Sequence, residues 1–188
     1  MSAVTIDAES VRRLVAEAQQ GDRAAADRLV REHQGWVRSA IYAVTGRVEW
    51  VDDITQQVWA RAWQGLGSLE NSRQLRAWLY SIARNTALDY TAARRRQQTL
   101  AASLDGATVP DREERMPLRA VEASETRETL LRAVQSLPAL YREPFVLRHL
   151  ENWSYAEIGE LLGLPDETVE TRLTRARRLL REMLHGKV

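Results

Sequence analysis

The sequence predicts an all-α fold of two small helical domains joined by a flexible linker, the C-terminal one a helix-turn-helix. Three observations lead there. Apolar residues recur at helical spacing along most of the chain, and no alternating strand pattern interrupts them. The stretch from Thr99 to Glu125 collects Gly106, Pro110, Pro117 and the acids Asp105, Asp111, Glu113, Glu114, Glu122 and Glu125, the composition of a linker. Beyond it, two short periodic segments flank Gly163-Leu164-Pro165. The expected boundaries are residues 8–97, a linker over 98–125, and 126–186.

The first domain opens with apolar faces marked by Leu14, Ala18, Leu29 and Val30, continued by Val37, Ile41 and Val44 up to a stop at Gly46. A helix over about Val51 to Trp63 follows, with Val51, Ile54, Val58 and Ala62 as its core stripe. Asp52, Asp53 and Gln56 point away from that stripe, with Gln57 and Trp59 at its margins. A face mixing acid, amide and Trp suits protein binding. Trp63 is expected to pack inward.

After the loop "QGLGSLENSRQ" a long helix is expected from about Leu75 to Arg96. Leu75, Leu79, Ile82, Ala83, Thr86 and Tyr90 share one face. Arg76, Arg84, Asn85 and the cluster Arg94-Arg95-Arg96, with Trp78 and Tyr80 nearby, suit a nucleic-acid track.

In the second domain Ser154 and Glu157 form an S-x-x-E capping box, and Ile158, Leu161 and Leu162 point inward. Gly163 supplies the turn and Pro165 stops the helix. Asp166 is a suitable N-cap for the next helix, and the dipole favours Glu167 in its first turn. At about 100° per residue Val169, Leu173, Ala176 and Leu180 form the core stripe. The opposite face carries Glu167, Thr171, Thr174 and Arg178, with Thr168 and Arg175 beside it and Arg172 and Arg177 on the two shoulders. Short polar side chains flanked by arginines suit a helix in a major groove, the former reaching bases and the latter phosphates. Asp166, Glu167 and Glu170 place acids on the same helix. They are able to accept from cytosine amino groups, or to oppose phosphates.

Bulk composition narrows the classes. The chain has 188 residues, 44% of them hydrophobic, and a formal net charge of +1, so any nucleic-acid binding must come from local clusters. There is no cysteine, which excludes disulfides, thiol catalysis and Cys-based zinc sites. No apolar run reaches the roughly 20 residues of a membrane span, and Met1 to Ser10 lacks the pattern of a signal peptide, so a cytoplasmic protein is expected. His33, His149 and His185 show no ligand spacing, and Asp52 and Asp53 diverge as helix neighbours. No enzyme, metal or cofactor is expected.

Together the two halves resemble the extracytoplasmic function (ECF) group of bacterial sigma factors, over about residues 10–97 and 126–186. "WVDDITQQVWARAW" looks like the family's helix that docks on the RNA polymerase clamp. "WLYSIARNTALDY" is similar to the next helix, which lines the melted promoter strand. "LPALYREPFVLRHLENWSYAEIGELLGLP" followed by "TVETRLTRARRLL" looks like the promoter-reading helix-turn-helix.

The resemblance implies a promoter-specificity factor with a sigma-2-like domain at 8–97 and a sigma-4-like domain at 126–186. Its partners would be core RNA polymerase (clamp helices of the beta-prime subunit and the beta flap), promoter DNA and an anti-sigma factor, with no small-molecule substrate and no membrane insertion. Asp53, Gln56 and Gln57, adjoined by Asp52 and Trp59, would bind the clamp. The loop Gly65, Leu66, Gly67, Ser68, Leu69, Glu70, Asn71 and on to Gln74 would capture a flipped base of the −10 element. Arg76, Arg84 and Asn85 would hold the nearby strand, while the acidic linker threads through the polymerase. Pro165, Asp166, Glu167, Thr168, Glu170, Thr171 and Thr174 would read the −35 element, while Arg172, Arg175 and Arg177 steady its backbone.

The chain departs from the family pattern in three places. Glu167 stands where a small residue is usual, Glu170 where Lys or Arg is usual, and "TAA" delays the basic stretch after Asp89. Two other readings stay open: a sigma-like decoy that sequesters an anti-sigma factor without binding promoters, and a helix-turn-helix repressor.

Overall fold

The computed structural model describes residues 8–105 and 123–185. Among them are eight α-helices and no strand. Four belong to the first half: α1 (Ala8–Gln19), α2 (Arg23–Thr45), α3 (Val51–Gly65) and α4 (Leu75–Asp105). Four belong to the second: α5 (Ala123–Ser136), α6 (Ala139–His149), α7 (Tyr155–Leu162) and α8 (Asp166–His185). Short 3-10 turns at Val48–Trp50, Leu66–Ser68 and Ser72–Gln74 complete the first half.

Local chemistry accounts for most of the ends. Asp22 caps α2, its Oδ1 accepting from the backbone N–H groups of Ala24 at 2.8 Å and Ala25 at 3.2 Å. Gly46 ends α2 in the left-handed region at φ +67°, and its N–H donates to the Tyr42 carbonyl. The capping box at the start of α7 is formed in both directions. Ser154 Oγ accepts from the Glu157 N–H at 3.2 Å, and Glu157 Oε2 accepts from the Ser154 N–H at 2.7 Å. Gly163 closes α7 at φ +65°.

Two elements differ from the sequence-based expectation. Helix α4 runs to Asp105, past the expected end at 96–97. Residues 97–105, QQTLAASLD, contain no glycine or proline, so nothing in them breaks the helix before Gly106. Of the expected linker, residues 106–122 lie outside the described residues. Asp166 is the first residue of α8 rather than the residue before it. Helix α6 continues through Pro144, which forfeits one helical hydrogen bond at a cost of about 3 kcal/mol. Burial of the neighbouring Val146 and Leu147 offsets this, at about 1.5–3 kcal/mol per side chain.

The two halves pack on each other. Helix α2 lies against α1, α3 and α4 of its own half and against α6 of the other. One buried cluster runs from Leu14, Leu29, Ile41, Ile54 and Leu79 to Ala133, Val134, Leu137, Val146, Ala176 and Leu180. A second joins Ala40 and Tyr80 of the first half to Leu147, Trp153, Ile158, Val169 and Leu173 of the second. No described helix is long and apolar enough to cross a membrane.

Candidate nucleic-acid and protein interfaces

The outer face of α3 follows from its inner one. Val51, Ile54, Val58 and Ala62 are buried, which turns Asp52, Asp53, Gln56 and Gln57 outward, all exposed. Asp52 is ion-paired with Arg38, and Asp53 Oδ2 accepts from the Tyr90 hydroxyl at 3.4 Å. The two Trp residues reverse their expected places. Trp59 is 9% exposed and set in the core, whereas Trp63 is 37% exposed and stacked on it, with centroids 5.7 Å apart. The reason is register: Trp59 follows Val58 on the inner side, while Trp63 continues the outer row Gln56–Ala60 one turn on. Trp59 thus supports the outer face and Trp63 forms part of it.

The loop after α3 is held by its apolar residues. Leu66 and Leu69 are buried. Their carbonyls both accept from Gln19 Nε2, at 2.9 Å and 3.0 Å. Gly67, Ser68, Glu70 and Asn71 are exposed, and Gly65 is half-buried. Asn71 also caps the Ser72–Gln74 turn through the Arg73 N–H at 3.0 Å. The loop is therefore a fixed rim in which Leu66 and Leu69 are anchors and the polar residues face outward.

On α4 Asn85 is exposed, but Arg76 and Arg84 engage the second half. The Arg76 guanidinium lies over the Trp153 ring, 3.9 Å from its centroid, and within 3.8 Å of Glu157. Burial lowers its pKa, opposed by the charges of Glu157 and Glu151. Arg84 Nε donates to Glu143 Oε1 at 2.8 Å, and the Tyr80 hydroxyl donates to the same oxygen. Burial and the adjacent Glu143 carboxylate push the Tyr80 hydroxyl's pKa up. For Arg84, burial works to lower the pKa, and the Glu143 carboxylate more than offsets it. Tyr80, expected beside a nucleic-acid track, is 1% exposed and belongs to the contact between the halves.

Helix α8 matches its expected faces closely. Val169, Leu173, Ala176 and Leu180 are buried, and Glu167, Glu170, Thr171, Thr174, Arg175, Arg177 and Arg178 are exposed. Pro165 and Asp166 are exposed at its start, while Thr168 and Arg172 are half-buried at its edges. Thr171 Oγ1 donates to the Glu167 carbonyl at 2.8 Å, and Arg177 Nη2 donates to Thr174 Oγ1 at 3.3 Å. Arg178 pairs with Glu182 at 3.6 Å. The helix presents hydroxyls bounded by guanidinium groups, with Glu167 and Glu170 among them. Its inner stripe holds it on α7 and α6.

Sequence reasoning left out Arg142 and Glu143, which are buried although charged. Neither lies on a periodic face that patterning would single out. The only available signal was a pair of adjacent charges inside the apolar run LPALYREPFVL.

The family model for Sigma-70 region 2 matches residues 29–97, and that for Sigma-70, region 4 matches residues 127–180. The chain is 31% identical over 173 residues to the ECF RNA polymerase sigma-E factor of Escherichia coli K12, covering 87% of this chain and 88% of that protein. It is 29% identical over 180 residues to the ECF RNA polymerase sigma factor SigW of Bacillus subtilis, covering 93% and 96%. Among solved structures, CnrH in complex with the cytosolic domain of CnrY is similar with a TM-score of 0.69 and 26% identity, over 97% of this chain and all of that one. The fold is also that of the sigma factor RpoE of Bartonella quintana, in complex with the anti-sigma factor NepR, with a TM-score of 0.65 and 21% identity over 85% of this chain and 96% of that one.

Proposed function

The chain belongs to the ECF sigma factors of bacterial RNA polymerase, and from that premise we propose how its surfaces divide the work of a promoter-specificity factor. The outer face of α3, with Asp53, Gln56 and Gln57 at its centre and Asp52 and Trp63 at its borders, docks on the clamp helices of the beta-prime subunit. The rim Gly65–Asn71 takes a flipped −10 base through its exposed Gly67, Ser68, Glu70 and Asn71. Arg76, Arg84 and Asn85 then hold the strand beside it. Helix α8 enters the major groove of the −35 element with Thr171 and Thr174 toward bases and Arg172, Arg175 and Arg177 toward phosphates. The domain carrying it rests against the beta flap. An anti-sigma factor is a further partner: RpoE, whose fold the chain shares, was solved with the anti-sigma factor NepR, and CnrH, to which the chain is similar, with the cytosolic domain of CnrY.

The observation that carries this division is the α8 surface: four buried apolar residues on one side, and exposed hydroxyls framed by arginines on the other. Two such modules on one chain bind weakly apart and strongly once polymerase sets their spacing. The test is run-off transcription with core RNA polymerase on a genomic promoter pool, with and without the protein. Discrete new starts sharing two spaced elements are expected, and Asp53→Ala with Gln56→Ala should abolish both the starts and association with core enzyme. Core association unchanged in that double variant would remove α3 from the clamp interface. No starts and no association with the unaltered protein would point to the decoy.

A further inference from the structure

Arg142 and Glu143, adjacent on α6, both reach into the first half. Arg142 donates from Nε to the Ala43 carbonyl at 2.9 Å and from Nη2 to the Val44 carbonyl at 3.0 Å. Its Nη1 donates to the carbonyls of Gln135 and Leu137, at 2.8 Å and 3.0 Å. One guanidinium thus satisfies the last carbonyls of α2 and of α5, at two helix ends whose dipoles favour a cation. It fits only because residue 46 is glycine, since a Cβ there would meet the Arg142 Cζ at 2.6 Å.

Glu143 does the complementary thing. Its side chain is 11% exposed, and one oxygen accepts from both Arg84 and Tyr80 of α4. Arg84 itself remains 40% exposed at its side chain, so the site opens to solvent on the arginine's side. Arg76, two helical turns before it, is drawn over Trp153 in the same direction.

We propose that Glu143 is a built-in competitor for single-stranded promoter DNA: its carboxylate occupies, in the free protein, the Arg84 and Tyr80 donors that a backbone phosphate of the melted strand takes in the open state. This inference rests on the strand-holding role proposed above for Arg84. The chemistry is a direct exchange of one oxyanion for another on a guanidinium and a phenol. Opening the halves returns the Glu143 carboxylate to water, so the exchange leaves no buried charge unpaired. The outer faces of α3 and α8 remain exposed in the closed form, so what the contact withholds is the −10 strand and not the clamp or the −35 element.

The chain has no cysteine, so a spin-label pair placed by Asp27→Cys and Arg181→Cys, both on exposed positions of different halves, reports the closed form cleanly. The full-length free protein should give one narrow inter-label distance. Glu143→Gln removes the charge but keeps the shape, and should broaden that distribution toward longer distances. It should also tighten binding of a fluorescein-labelled oligothymidylate roughly three- to tenfold in anisotropy titrations at low salt, the range expected for one partly solvated charged hydrogen bond. Tyr80→Phe, which removes one donor to Glu143 and leaves Arg84, should shift the distance in the same direction by less, and stands in should Glu143→Gln fail to fold by circular dichroism. A broad, separated distribution in the unaltered protein overturns the proposal. So does a Glu143→Gln variant with unchanged distance or unchanged oligonucleotide affinity. The distance measurement needs no polymerase, so its failure is separable from failure of the promoter-factor reading, which run-off transcription by the unaltered protein decides.

Discussion

The Arg76 guanidinium carbon stands 3.9 Å from the centroid of the Trp153 ring, so a cation of the first half is seated on an aromatic of the second. Trp153 is 2% exposed, and its ring meets Trp36 and Tyr80 edge-on or tilted, each at 5.9 Å. An arginine of α4, an aromatic cluster and the entry to the helix-turn-helix thus share one small volume. Arg76→Ala should lower stability by about 1 kcal/mol, the value of a partly exposed cation–π pair. Arg76→Lys should recover only part of it, because the flat guanidinium is what stacks. Urea unfolding followed by tryptophan fluorescence measures both.

The turn of the helix-turn-helix depends on Gly163, which sits at φ +65°. Gly163→Ala forces a Cβ into the left-handed region and should cost about 1 kcal/mol. The loss should appear in the urea midpoint, with −35 DNA binding falling only as far as the folded fraction falls.

Glu170 is exposed on α8 beside Thr171, Thr174 and Arg175. If it opposes phosphates, Glu170→Lys should strengthen binding to all duplexes alike. The slope of log affinity against log salt should steepen by about 0.9, the contribution of one additional phosphate contact. A change of preferred promoter sequence without a steeper slope would instead assign Glu170 to base reading.

Acid should loosen the fold in two stages. Burial is the chief cause that lowers the His33 pKa, and the Ser154 backbone hydrogen bond is the chief cause that lowers that of Glu157. Both folded values lie below the unfolded ones, so the unfolded chain binds protons first and stability falls with pH. Each contribution is complete above the group's ordinary value, 6.5 for His33 and 4.5 for Glu157, and is lost as pH falls through the lower folded value. Urea midpoints measured from pH 8 down to pH 4 should decline in that order. His33→Gln should reduce the first decline and leave the part supplied by His149, whose pKa burial also lowers. Ser154→Ala should blunt the second only in part, because it removes the hydroxyl's hydrogen bond to Glu157 and keeps the backbone one, while costing about 1 kcal/mol at neutral pH through the lost cap.

What the sequence determined by itself is whatever depends on short range. The core stripe of α8, the capping box of Ser154 and Glu157, the stops at Gly46 and Gly163 and the outward turn of Asp53 and Gln56 all follow from residues within a turn or two of one another. The structure reproduces each. Only the tertiary structure decided why Leu66 and Leu69 anchor their loop, and where Arg76 and Arg84 point. Those outcomes turn on partners far along the chain: Gln19 for the loop, 47 and 50 residues away, and Glu143 for Arg84, 59 residues away. Buried charged side chains have no periodicity to betray them. Arg142 and Glu143 look in the sequence like two ordinary charges on a helix, and become a contact between halves only when burial removes the water that would otherwise satisfy them.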